Sequence, residues 1–338
     1  MNIKKYLLSI LFFIVVIFLT FYSIFSGDSI DLVISNIKLV NIKYVFICML
    51  LIAAYFIFQG LYMKLILKSL NKKITLSKGI FYSMVEFFFS AITPSSTGGQ
   101  PVQLYYMNKD KISMKKSLIT LILNTIYFKL ALIILGIIIM MFKSSILLSD
   151  KYLLIFFIIG FTVDLLVIIF CYFLLYKQSV IKKILRFFYS FKNKLSKDKN
   201  ADIEQTVETK LNDYKNEVNY IKSHKKEVFI GFILTLLQRM FLFSISYVIY
   251  KSFGLNKYNY FELVFIQISV QIAIEAMPLP GGTGVSEHLM NYAFINIFGT
   301  NKASTAMMLT RAFSFYIPII LCLILLIIRF INDNKNKK

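Results

Sequence analysis

The sequence has few charged residues, five prolines and three cysteines for its length. Only 16% of its 338 residues are charged, whereas 58% are hydrophobic. A soluble protein of this size needs more polar surface, so the composition excludes that class and favours a membrane protein. Cys48, Cys171 and Cys322 stand singly in apolar runs. They therefore indicate neither a disulfide framework nor a metal site.

Signatures of catalysis and of cofactors are also missing. The sequence contains no HExxH motif, no P-loop and no Ser/His/Asp set typical of a nucleophilic enzyme. The two histidines, His224 and His288, are too dispersed for a metal cluster. His288 follows Glu287 and the two could act as an acid/base pair, but a lone pair at a helix start is usually structural. We expect no metal and no cofactor.

The net charge of +21 does not indicate a nucleic-acid partner. The Lys and Arg residues collect in the segments between apolar runs. That distribution sets the orientation of a membrane protein and attracts anionic lipid headgroups. The expected partners are therefore membrane lipids, not DNA or RNA.

Apolar runs long enough to cross about 30 Å of hydrocarbon predict six full spans. Two more apolar regions, 79–108 and 259–298, are interrupted, and we expect each to enter and leave the membrane on one side. With that layout 27 Lys and Arg residues lie inside and seven outside. This bias predicts a multi-pass protein of the cell membrane with both termini in the cytoplasm. The six spans are 6–25, 44–67, 117–142, 152–176, 228–250 and 305–330.

The spans and interruptions repeat along the chain. In each unit a proline, Pro94 or Pro278, lies 50 residues after the start of a span (44 or 228), and a further span follows. The two units begin on opposite sides, as in the inverted repeats of transporters, whose substrate site lies between the halves. The predicted fold is an all-α polytopic membrane protein with six spans and two re-entrant broken helices.

One polar region, 177–226, interrupts the single membrane domain expected over 1–338. Its first part has apolar residues at helical spacing among lysines, which is typical of a helix on an anionic membrane surface. Its second part carries an ordinary amphipathic stripe. We interpret the region as a cytoplasmic basic insertion with a structural or regulatory role.

The two interruptions are the candidate lipid-binding segments. Proline removes a backbone donor and glycine frees the backbone, so neither segment can remain a continuous helix. Broken backbone at membrane depth is tolerated against protein or a watery cavity. Half-helix N-termini there favour a phosphate. The alternative is a pair of ordinary interfacial loops. The candidates are Thr93, Pro94, Ser95, Ser96, Gly98, Gly99, Gln100 and Gln103 in the first segment, and Pro278, Pro280, Gly281, Gly282, Gly284 and Glu287 in the second.

Ionisable side chains within the apolar segments add further candidates, because charge at membrane depth is costly and usually functional. Lys129 and Asp164 lie at nearly equal depth in antiparallel spans, which predicts a structural intramembrane ion pair; a contact with the substrate is the alternative.

Four other charged residues are candidate lipid ligands. Arg239 and Arg311 could bind a lipid phosphate through a guanidinium fork or could pair with Glu275 or Glu287. Glu86 and Glu275 could hold a cationic headgroup or serve only as interhelical hydrogen-bond acceptors.

The two interrupted segments also carry a resemblance to a known family. Thr93-Pro-Ser-Ser-Thr-Gly-Gly-Gln-Pro-Val-Gln103, followed by Tyr105-Tyr106, resembles the first signature of the lysylphosphatidylglycerol synthase transmembrane family. Pro278-Leu-Pro-Gly-Gly-Thr-Gly-Val-Ser-Glu287 is similar to the second. The best-known members are the multiple peptide resistance factors, whose membrane region acts as a lipid flippase. The resemblance implies translocation of a phospholipid, for instance aminoacylated phosphatidylglycerol.

One departure from that family limits the expected chemistry. In full-length resistance factors a soluble domain follows and transfers lysine from aminoacyl-tRNA to phosphatidylglycerol, whereas this sequence ends eight residues after Phe330. Two alternatives to a flippase stay open. One is a phosphatidylglycerol lysyltransferase acting with a partner domain, and the other is an ion-coupled solute carrier. Expected partners are anionic or aminoacylated phospholipids, a second copy of the chain or a separate aminoacyltransferase.

Overall fold

The computed structural model describes residues 35, 38, 40–148, 151–195, 203–275, 277 and 279–335. Regular structure in these ranges is helical and includes no strand, which confirms the predicted all-α fold. The α-helices, numbered along the chain, are α1 Ile42–Ser69, α2 Leu76–Ala91, α3 Gly99–Lys109, α4 Met114–Phe142, α5 Ser144–Leu148, α6 Lys151–Tyr176, α7 Gln178–Leu195, α8 Ile203–Ser223, α9 Lys225–Ser252, α10 Tyr260–Ile274, α11 Val285–Phe298, α12 Thr300–Arg311 and α13 Ile317–Lys335.

Five helical segments of the described chain are long and apolar enough to cross a membrane. They coincide with five of the six predicted spans. The remaining prediction, 6–25, lies outside the described residues. The last segment consists of α12 and α13 joined by a π-helical turn, Ala312–Tyr316. The five are α1, α4, α6, α9 and Thr300–Asn332.

The first interrupted region is a broken helix, as predicted. Helix α2 ends at Ala91, a 3-10 turn spans Pro94–Ser96, and α3 begins at Gly99. Thr93 closes the break, because its hydroxyl donates to Phe89 O at 2.6 Å and accepts from the Gly98 N–H at 2.8 Å. The side chain thus supplies hydrogen bonds that the missing helical turn would have made.

The second interrupted region repeats this arrangement between α10 and α11. A 3-10 turn spans Pro280–Gly282, and Gly281 and Gly284 have φ of 57° and 85°. These are left-handed conformations that glycine adopts without steric cost. A Cβ on Gly281 would also lie 2.1 Å from the Phe315 ring. Pro278 lies outside the described residues.

Each broken region enters and leaves at one level. Asp110, just after α3, accepts from Tyr82 Oη at 2.8 Å and pairs with Lys78 at 3.4 Å, so the start of α2 and the end of α3 lie together. In the second region Tyr258, before α10, donates to Asn296 O near the end of α11 at 3.1 Å. Both regions are therefore re-entrant.

The two re-entrant regions start from opposite ends of the bundle. Helix α4 begins beside the end of α3 and runs for 29 residues, about 43 Å at 1.5 Å per residue. At its far end Lys143 pairs with Glu262, in the first turn of α10, at 3.1 Å. The entrances of α2 and α10 are thus a full span apart, and the two 3-10 turns meet between them. This is the geometry of an inverted repeat.

Helices α7 and α8 form a hairpin held by ion pairs. Lys182 pairs with Glu204 at 2.9 Å, and Arg186 pairs with the same carboxylate at 2.5 Å. Hydrogen bonds from Arg186 and then Lys182 hold the pKa of the exposed Glu204 carboxyl below its ordinary value. Lys115 of α4 also pairs with Asp213 at 3.5 Å, so α8 lies against the start of α4.

We expect Gly160→Ala to destabilise the bundle by about 3 kcal/mol, because overpacking of a close contact costs on this order. An alanine Cβ at position 160 would lie 1.7 Å from the carbonyl oxygen of Ile272, a backbone atom that cannot rotate away. The sequence has no tryptophan, so unfolding is best followed in detergent with a thiol-reactive dye that reports exposure of the three buried cysteines.

The matched control for this substitution is Gly136→Ala. Its Cβ would meet only side-chain atoms, Ile272 Cδ1 at 3.1 Å and the Phe161 ring at 3.2 Å, which can shift. Equal melting temperatures for the two variants would contradict the proposed tight crossing of α6 and α10.

Candidate functional site

The two breaks meet at a cavity of about 700 Å³. Its walls also include residues of α1, α4, α6 and α9, so it lies among the long spanning helices. The cavity collects half of the predicted lipid-binding residues, and it also includes Lys129 of the predicted ion pair. Those on its wall are Glu86, Ser95, Ser96, Gln100, Lys129, Arg239, Glu275, Gly281, Gly282 and Arg311.

Other predicted site residues lie behind the cavity wall. Gly99 packs against α2, where a Cβ would come within 2.1 Å of Ser90 Oγ. Gln103 is fully buried, and no hydrogen-bond partner is present for its amide within the described chain. The residues behind the wall shape the breaks instead of contacting the space directly. They are Thr93, Pro94, Gly98, Gly99, Gln103, Pro280, Gly284 and Glu287, whereas Asp164, on α6 and outside both breaks, lies behind the wall next to Lys129.

An ion triad occupies one wall of the cavity. Lys129 Nζ lies 2.7 Å from Asp164 Oδ1 and forms a second ion pair with Glu275 Oε2. Gln271 Nε2 donates to the other Glu275 oxygen at 2.7 Å. The structure therefore brings Lys129 and Asp164 together. Glu275 forms its ion pair with Lys129, and not with Arg239 or Arg311. Glu275 sits where α10 ends, so the second break positions one carboxylate of the triad.

A second charged cluster joins α11 to α12. Arg311 Nε donates to Glu287 Oε1 at 2.8 Å, and Tyr316 Oη donates to the same oxygen at 3.0 Å. The π-helical turn after Arg311 places residues five apart on one face, which explains why both reach one carboxylate. The other oxygen accepts from Gly284 N–H at 2.6 Å and Ser286 Oγ at 2.8 Å. Glu287 is thus a structural acceptor for four donors.

Arg239 lies on the cavity wall without an ion pair in the described part of the chain. Its guanidinium stacks over the Phe128 ring at 3.7 Å and donates one long hydrogen bond, 3.4 Å, to Tyr55 Oη. Its Nε, buried from solvent, has no partner there. Most of the guanidinium donors therefore stay available to a ligand in the cavity.

Glu86 is the corresponding anion on the same wall. It has no ion pair within the described residues, and its one side-chain hydrogen bond comes from Ser90 Oγ at 3.3 Å. It interacts electrostatically with Arg239 and Glu275. The cavity therefore offers one unpaired cation and one unpaired carboxylate, an arrangement complementary to a group that carries both charges.

Sequence reasoning missed several residues of the wall. Asn124, Gln267 and Gln271 are polar residues inside apolar helices, and that signal could have identified them. Gln100 Nε2 donates to one further missed residue, Thr125, at 2.5 Å. The aromatic residues on the wall carry no such signal, since the sequence contains 34 phenylalanines and most of its helices are apolar. They are Tyr55, Phe87, Phe128 and Phe315.

Comparison with known proteins agrees with this architecture. A family model described as the lysylphosphatidylglycerol synthase TM region matches residues 6–322. A UPF0104 membrane protein from Archaeoglobus fulgidus is similar at 25% identity over 307 residues, which cover 87% of this chain and 88% of the relative. The family match extends over both breaks and all of the cavity wall.

Proposed function

This chain belongs to the lysylphosphatidylglycerol synthase transmembrane family, and from that premise we propose that it translocates a phospholipid between membrane leaflets. The protein is a multi-pass membrane protein. Its basic inner segments support a place in the cell membrane with both termini in the cytoplasm. The lipid headgroup would pass through the cavity while the acyl chains stay among the lipid-facing helices.

The observation that carries this proposal is the meeting of two oppositely directed re-entrant breaks at one polar cavity. Each break can open toward its own side, so the cavity can be reached in turn from either leaflet without a continuous pore. A volume of about 700 Å³ is within the range of small-molecule sites and suits a polar headgroup.

The charges on the wall favour a phospholipid headgroup over an uncharged solute. Arg239 presents free guanidinium donors, and such donors bind phosphate oxygens in a fixed fork geometry. The first break adds Ser96 and Gln100 nearby on the wall. Glu86 and Glu275 offer acceptors to an amine or to hydroxyl groups of the same headgroup.

We expect Arg239→Gln to slow lipid translocation about tenfold or more, because charge-assisted hydrogen bonds contribute about 1.5–3 kcal/mol each. Purified protein is reconstituted with phosphatidylglycerol labelled on an acyl chain, and loss of the label's fluorescence on adding dithionite measures transfer to the outer leaflet. Glutamine keeps the stem of the side chain and removes the charge.

Arg186→Gln is the matched control, since that arginine lies in the exposed α7–α8 hairpin and should leave translocation unchanged. Wild-type vesicles that transfer no more lipid than protein-free vesicles would refute the proposed function. Full activity of Arg239→Gln would refute only the role assigned to this side chain.

A further inference from the structure

The charged groups around the cavity do not balance. Within the described chain, four carboxylates and three cations line the cavity or contact residues that do. If all are ionised, the site carries a net charge of −1. The carboxylates are Glu86, Asp164, Glu275 and Glu287, and the cations are Lys129, Arg239 and Arg311.

An uncompensated charge in this position is unfavourable. Asp164 has 0% exposed surface, and its one cationic partner within the described chain, Lys129, is shared with Glu275. Buried charges that lack full compensation cost several kcal/mol, and at membrane depth they are neutralised or paired. The site therefore favours binding one positive charge, either a proton or a cation from outside.

The triad is built so that its two carboxylates differ in access. Glu275 faces the cavity, whereas Asp164 is sealed behind Lys129. Within the described chain, the other charged groups that face this pair are Lys129 from α4, Arg239 from α9 and Glu86 from α2. Helix α5, which also packs on α6, contributes no titratable residue. A cation bound at Glu275 therefore compensates the same excess negative charge that a proton on Asp164 would compensate.

We propose that the cavity exchanges one proton for one positively charged headgroup, with Asp164 and Glu275 as the exchanging carboxylates. This rests on the proposed lipid function and adds its coupling ion. When the positively charged headgroup binds with an ammonium group at Glu275, Asp164 or Glu275 releases its proton to solution. The total charge of the occupied site therefore stays constant. When the lipid departs, a proton returns. A proton gradient then drives the lipid in the opposite direction.

The charge balance also determines which lipids exchange. A headgroup with two amines and one phosphate carries a net +1 and should displace one proton. A headgroup with one amine and one phosphate is neutral overall and should bind without displacing any. The difference between the two lipids separates exchange of charge from mere occupation of the cavity.

The test is proton release on binding, measured with a pH indicator in weakly buffered detergent solution near pH 6.5. Dioctanoyl lysyl-phosphatidylglycerol is the net +1 probe, and dioctanoyl phosphatidylethanolamine is the neutral one. We expect about one proton released per protein with the first and none with the second. Asp164→Asn, which leaves three carboxylates and three cations, should release none with either probe. Glu275→Gln provides the same readout if the first variant fails to fold, and Asp213→Asn in the α8 hairpin should behave as wild type.

Proteoliposomes supply a second readout. A gradient of one pH unit should change net transfer of the cationic lipid by up to about tenfold for wild type and should have no effect on Asp164→Asn. If lipid transfer does not depend on the pH gradient and no proton is released in detergent, the proposed proton exchange is wrong. The proposed lipid translocation is not affected by that result. If wild type transfers no lipid, the proposed function fails, while the detergent measurement still decides whether the carboxylates exchange a proton.

Discussion

Lys129→Met is expected to give the largest loss of stability of any single substitution on the cavity wall. Methionine keeps the length and apolar stem of the side chain but removes the ammonium group, so Asp164 and Glu275 lose the cation that they share. Breaking a buried ion pair by removing one partner costs about 3–5 kcal/mol. The drop in melting temperature, followed with the thiol-reactive dye, measures the loss.

Two further variants test whether this loss of stability arises from the triad. Lys64→Met removes an exposed lysine from α1 and should leave the melting temperature nearly unchanged. Adding Asp164→Asn and Glu275→Gln to Lys129→Met removes the uncompensated charges and should restore much of the lost stability, since neutral buried groups of similar volume are tolerated. A triple variant no more stable than Lys129→Met alone would contradict this account.

The sequence was sufficient to predict features that depend on local backbone chemistry. The two breaks could be located from the clustering of proline and glycine, because several of these residues close together weaken a helix locally, whereas single glycines such as Gly136 and Gly160 lie inside continuous helices. The Lys129–Asp164 pairing followed from depth, since two consecutive antiparallel spans bring equal heights together. In both cases the decisive information lies within a short stretch of chain or between neighbouring helices.

Contacts between distant helices could not be predicted in the same way. Glu275 joins Lys129 across 146 residues, and the triad forms because α10 packs against both α4 and α6. The approach of α6 to α10 is allowed by Gly160, which has no Cβ to meet the Ile272 carbonyl. A lone glycine in an apolar run gives no sign of what packs against it. For the same reason, the sequence does not indicate which aromatic residues surround Arg239.

The partners of Arg239 and Arg311 decide which of the two side chains is available to a lipid phosphate. Both were candidates for a lipid phosphate, and both lie on the cavity wall. Arg311 is 6% exposed and donates through Nε to Glu287, whereas the direct contacts of the Arg239 guanidinium within the described chain are aromatic rings and a tyrosine hydroxyl. We therefore assign Arg311 a structural role in the second break and propose Arg239 as the phosphate ligand.

Glu287→Ala is accordingly expected to destabilise the second break by about 3–5 kcal/mol, because it leaves the buried Arg311 without its carboxylate. It also removes the acceptor for the Gly284 N–H, the first free donor of α11, and for the Ser286 and Tyr316 hydroxyls. Melting in detergent measures the loss. Removal of Arg311 as well, in Glu287→Ala/Arg311→Ala, should recover part of it, and the double-mutant cycle gives the coupling between the two side chains.

The matched control is Glu262→Ala, because Glu262 has the same place in α10 that Glu287 has in α11. Each is the third residue of its helix, and its carboxylate accepts a hydrogen bond from the backbone N–H of the capping residue. For Glu262 the donor is the Asn259 N–H at 3.0 Å. Glu262 differs in being partly exposed and paired with Lys143 near the helix entrance. Its removal should therefore cost only about 1 kcal/mol, the value of a cap and a surface pair. If the two alanine variants lose equal stability, capping alone accounts for Glu287, and burial with Arg311 adds nothing.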